Sequence, residues 1–167
     1  MNTRNVHLVL LACALGVPLA SQADTLTLPE KAPFRSGLYV PEPVKAECAL
    51  ETKVVQHIKA AASGFEKVSV VKGGKGGAGK SLDLKITGLL GTGGGSFSGP
   101  KAVTVTGTLR EGGKVKGTFT AMRFAAAGAF GGGGTCAMLE RCAKAIGKDV
   151  ATWLKAPTMN AKLGDEK

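Results

Sequence analysis

Apolar residues recur along the chain at two different spacings, and the change between them separates helix from strand. From about Val44 to Ala62, positions Glu51, Val54, Val55, Ile58, Ala61, Ala62 and Phe65 include the i, i+3, i+4, i+7 stripe of one buried face. A helix is predicted there, ended by Ser63-Gly64. The period then falls to two. Lys67–Val71 alternates, and Leu82, Leu84 and Ile86 alternate with Asp83, Lys85 and Thr87. Val103, Val105 and Leu109 alternate with Thr104, Thr106 and Thr108, and Val115, Phe119 and Ala121 alternate with Lys116, Thr118 and Thr120. Four half-buried strands follow from this pattern. Glu111-Gly112-Gly113 reads as a hairpin connection. The long connections Gly73–Gly79 and Gly91–Pro100 are glycine-rich.

After an Ala/Gly linker at Ala125–Gly134, the helical spacing returns. Leu139, Cys142, Ala143, Ile146, Val150, Trp153 and Leu154 share one stripe, with Lys144, Lys148 and Asp149 off it, and the helix stops before Pro157. At the other end, Gly37–Val40 is a short apolar burst closed by Pro41 and Pro43, which suits an edge strand. Residues 24–36 read as an extended arm and residues 157–167 as a frayed tail. Residues 37–156 then form a single domain.

Each helix has one apolar stripe and the sheet one apolar face. Both helices therefore belong on that face. The expected fold class is α+β in two layers: a mostly antiparallel sheet of four to five strands with two helices packed on one face, in the order β-α-β-β-β-β-α. The opposite face would stay wet. It would present Lys67, Lys85, Arg110 and Lys116 among serine and threonine side chains, with no apolar group to bury.

The first 23 residues have a different character. Arg4 precedes the almost unbroken apolar run Leu8–Ala20, and Ser21-Gln22-Ala23 offers a small-x-small cleavage site. This is the pattern of a secretory signal peptide, with a mature chain beginning at Asp24 and a periplasmic or secreted destination. The run is short for a membrane span, which needs about 20 residues. Leu10-Leu11-Ala12-Cys13 resembles a lipobox, but cleavage there leaves too little apolar sequence ahead of Cys13.

Charge adds a class of partner. The chain carries 22 Lys+Arg against 12 Asp+Glu, a formal net charge of +10, and Arg4 leaves with the leader to give +9. Spread along the mature chain, this charge solvates the surface and also suits an anionic envelope component or an acidic partner protein. The compartment argues against nucleic acid.

Several motifs invite chemistry and fail on context. Gly74–Ser81 fits GxxxxGK[ST], yet a phosphate-binding loop needs a helix beginning at its Ser/Thr, and Ser81–Thr87 alternates as a strand. His57 is the one histidine beyond the leader, and in a continuous helix Cys48 would lie about 180° around from it, which excludes a Cys–His dyad. No carboxylate pair has acid/base spacing. Gly95-Ser96-Phe97-Ser98-Gly99 lacks the register of a nucleophile elbow. No catalytic residue, metal site or cofactor is expected.

Three cysteines follow the leader: Cys48, Cys136 and Cys142. In an oxidising compartment one pair is expected. A Cys136–Cys142 bond is the first choice and requires the helix to start after Cys136, because six helical positions separate Cα atoms by roughly 10 Å. The competitor joins Cys48 to either of them.

The leader, the alanine-rich first helix, the segment Gly91-Thr92-Gly93-Gly94-Gly95 and the closing Gly-Gly-Thr-Cys-to-Trp153 helix together resemble a set of uncharacterised small envelope proteins of bacteria. The resemblance covers roughly residues 37–156 and implies no activity. The expected function is a non-enzymatic periplasmic or secreted binding domain that uses the Thr/Lys face or the glycine loops. Its rivals are a small hydrolase of envelope polymers and a structural subunit of an envelope assembly.

Overall fold

The computed structural model describes residues 25–73, 79–91, 99–126 and 133–166. The leader, with Cys13 and the cleavage site, lies outside them. So do most of the GxxxxGK[ST] loop, most of the Gly91–Pro100 connection and the centre of the Ala125–Gly134 linker.

The elements in chain order are β1 (Leu26–Pro29), α1 (Glu42–Glu47), α2 (Leu50–Ala62), β2 (Val68–Val71), β3 (Lys80–Leu90), β4 (Lys101–Glu111), β5 (Lys114–Ala125), α3 (Thr135–Leu154) and β6 (Ala161–Gly164). The fold is α+β, with one six-stranded sheet in the order β2-β1-β3-β4-β5-β6. The sheet is mixed, which corrects the mostly antiparallel sheet of four to five strands. The β3–β4 and β4–β5 pairs are antiparallel, whereas β1 pairs in parallel with β2 and β3, and β6 in parallel with β5.

Two short strands account for the difference. Leu26–Pro29, inside the expected arm, lies between β2 and β3 with Leu26 and Leu28 wholly buried. Ala161–Gly164, inside the expected tail, closes the far edge through Phe119↔Ala161 and Ala121↔Leu163. Each has only two inward side chains, too few for a periodicity to stand out. Gly37–Val40 forms no strand; Gly37 turns at φ +79° and Val40 enters the core.

The first helix is also divided. Ala49 adopts a left-handed conformation (φ +47°) between α1 and α2. The two-helix expectation thus becomes three. The break brings Cys48, 1% exposed, to Cys136 at a Cα separation of 4.8 Å, and the two form a disulfide. This corrects the Cys136–Cys142 pairing. Because α3 begins at Thr135, both of those cysteines lie in one continuous helix, beyond bridging distance. Cys142 is a free thiol buried in the core.

Helices α2 and α3 pack closely at Gly147, where a Cβ would come within 2.9 Å of the His57 backbone and Cβ. Trp153 turns from α3 onto the sheet. Its ring meets Phe119 edge-on at 5.0 Å between centroids, and a Cβ at Gly117 would strike it at 2.6 Å. The core is therefore one continuous layer between helices and sheet.

Candidate functional site

Strand pairing arranges the opposite sheet face in rows across β3, β4, β5 and β6. One row runs Lys85–Thr106–Thr120–Lys162, and its neighbour toward the hairpin runs Asp83–Thr108–Thr118. The facing alternation that hides Val103, Val105 and Leu109 leaves Thr104, Thr106 and Thr108 half-buried on this side. Lys85 and Lys162 are exposed at the two ends of their row, about 14 Å apart at three strand spacings. Between them stand two hydroxyls. A shallow hollow of about 170 Å³ lies beside them, lined by Asp83, Leu84, Lys85, Thr106, Gly107 and Thr108.

The four cations expected on this face do not converge. Lys67 is exposed just before β2, two strands from β3 at the edge of the sheet. Arg110 donates from Nε to Asp83 at 3.1 Å, and Lys116 lies 3.5 Å from Glu111. Lys116 also sits in a register shift: Leu109 pairs with Gly117 and Arg110 with Val115, so Lys116 has no partner in the β4–β5 ladder. Val115 is consequently 41% exposed, where uninterrupted alternation puts it in the core. Lys85 remains central and makes no ion pair among the described residues.

Sequence reasoning missed Lys162, whose strand is short. Its signal was the alternation Ala161-Lys162-Leu163 ahead of Gly164. It also missed that the face has an apolar end. Leu90, Ala102 and Phe124 form one row, with Leu90 52% and Phe124 49% exposed. Leu90 arrives there because the β3–β4 register shifts between Ile86 and Gly88, which turns Leu89 inward and Leu90 outward. For Phe124 no shift was needed, since alternation from Thr118 through Thr120 and Met122 leads to it.

Elsewhere several groups with chemical potential are engaged. Glu140 of α3 accepts from Lys53 at 2.6 Å and lies 3.7 Å from His57, both on α2. The Lys53 hydrogen bond holds the Glu140 carboxyl below its ordinary value. Arg123 forms a two-pronged bond to Asp149 at 2.7 Å and a third to Asp165 at 3.1 Å, tying β5 to α3 and to the segment after β6. Burial raises the Cys142 thiol to about 11, far from a reactive thiolate. At the GxxxxGK[ST] motif, Ser81 is a buried strand residue in β3 and Lys80 pairs with Glu66. A phosphate site of that kind needs a helix there, and the chain builds a strand.

An open notch of about 420 Å³ lies where β1 leaves β3, between the pairings Thr27↔Ser81 and Phe34↔Ile86. Among the described residues its carboxylates are Glu30, Glu51 and Asp83, and its lining contains no His, Cys or Ser. Among the described residues, no group of three or more His, Cys, Asp or Glu could hold a metal ion. No described helix is long and apolar enough to cross a membrane.

No protein-family model and no curated protein matches the chain. Solved structures give distant likenesses. One is a crystallised uncharacterised protein, at 13% identity over 79% of this chain and 90% of that one, with a TM-score of 0.45. A dodecameric PelC variant from Paraburkholderia phytofirmans has 16% identity over 75% of this chain and 84% of that one, with a TM-score of 0.45. Protein XCC0632 from Xanthomonas campestris, assigned to DUF330, has 13% identity over 79% of this chain and 83% of that one, with a TM-score of 0.44. At these scores no activity, partner or assembly carries over to this chain.

Proposed function

We propose that the chain is a non-enzymatic extracytoplasmic binding domain whose sheet face opposite the described helices holds an anionic envelope component. The observation that carries this reading is the row Lys85–Thr106–Thr120–Lys162. It offers two cations and two hydroxyls across four paired strands, in a chain of net charge +10. Hydroxyls and ammonium groups both donate to phosphate, sulfate or carboxylate oxygens. Asp83, two positions from Lys85 on β3, is engaged by Arg110. Two features support the compartment. The pattern of residues 1–23 is that of an export leader, and the Cys48–Cys136 disulfide suits an oxidising environment.

Heparin titration, used as a polyanion probe, tests the reading. Lys85→Glu combined with Lys162→Glu is expected to weaken heparin binding by at least about ten-fold at low salt and to flatten its salt dependence. Lys116→Glu, at a residue already beside Glu111, is expected to have a smaller effect. Unchanged affinity and salt response in the Lys85/Lys162 variant would mean the face is merely solvated.

A further inference from the structure

The sheet face opposite the described helices is chemically graded along its strands. At one end stands the apolar row Leu90–Ala102–Phe124, followed by Thr104 beside Met122, and then by the lysine row. Ala102 to Thr106 spans about 14 Å along β4 at 3.4 Å per residue. Polarity therefore rises steadily from one end toward the middle.

The relief of the face limits what could occupy it. Pockets that enclose a small molecule run to about 300–1,000 Å³, whereas the hollow on this face offers about 170 Å³. A hollow this shallow suits another surface as the occupant. That surface must be apolar at one depth and anionic at the next, which is the order met on entering a bilayer from its acyl boundary outward. Charge agrees with this order. Asp165, the acid nearest the apolar end, accepts from Arg123 and from the Phe124 amide, and Asp83 is held by Arg110. The lysines at the ends of the central row face outward.

We propose that this face docks on anionic bilayers: Leu90 and Phe124 enter the headgroup region while Lys85 and Lys162 meet lipid phosphates. The inference rests on the anion-binding reading above and adds its target. Long lysine stems can lean toward a phosphate plane, which accommodates the distance between the two rows. Two exposed apolar side chains and two lysines make a peripheral, reversible contact.

The test is co-sedimentation of the whole chain with phosphatidylcholine vesicles, with and without phosphatidylglycerol. Binding is expected only to the anionic vesicles. Leu90→Ser with Phe124→Ser should lose about ten-fold or more on vesicles, by removal of two apolar contacts, and leave heparin affinity unchanged. Lys85→Ala with Lys162→Ala should lose roughly five-fold per lysine on vesicles. Leu90 and Phe124 are half exposed, so circular dichroism and melting temperature should stay near native values. Phe124→Trp supplies a separate readout: a blue shift and quenching by brominated acyl chains on anionic vesicles. Absence of vesicle binding, or vesicle binding indifferent to Leu90 and Phe124, overturns the bilayer target; heparin binding that still depends on Lys85 and Lys162 would then leave the anion-binding reading standing. Indifference of both probes to the two lysines overturns both.

Discussion

Trp153 connects the helical layer to the sheet. It is 6% exposed, meets Phe119 edge-on, and donates from Nε1 to the Thr158 carbonyl at 3.3 Å. Gly117 is the complement to its bulk, since any Cβ there would overlap the indole. Trp153→Ala is therefore expected to cost on the order of 3–5 kcal/mol, measured by urea unfolding. A loss below about 1 kcal/mol would contradict its burial. Its role was readable from helical spacing with Leu139, Ile146 and Val150. The exposure of Val115 and Leu90 was not, because each follows from a one-residue register shift in a ladder whose partner strand lies elsewhere in the sequence.

At the level of elements, the disulfide ties the α1–α2 junction to α3, and the short strands β1 and β6 add their segments to the sheet. Cys48 and Cys136 are 88 residues apart in sequence, and closing a loop of that length stabilises by about 4–5 kcal/mol in the chain-entropy account. Cys48→Ala with Cys136→Ala should lower stability by that order in urea unfolding, and a dithiothreitol-treated native chain should behave the same way. A difference under about 1 kcal/mol would show that packing of α1 and α2 against α3 holds the join without the bond. The long elements β3, β4, β5 and α3 were legible because each repeats its period many times. The break at Ala49 was not, since alanine is a good helix former and no local residue demands φ +47°. It is selected by the packing that buries Val44, Cys48 and Leu50 together. In β1 and β6, at 4 residues each, the alternation was too short to stand out, and with them went Lys162.

At the scale of the whole molecule, the observed helices and the core lie on one side of the sheet, leaving the other side with a graded set of apolar, hydroxyl and cationic groups. The sequence placed the threonines and Lys85 on this side but overstated its uniformity, since Lys67 stands at the periphery and Arg110 and Lys116 are paired. The claim that this face is the binding surface is tested most directly by methyl NMR of the whole chain titrated with heparin. Shift changes are expected to concentrate on the γ-methyls of Thr104, Thr106, Thr108, Thr118 and Thr120, with those of Thr52 on α2 and Thr152 on α3 still. Changes centred on the helix threonines, with the sheet threonines unmoved, would contradict it.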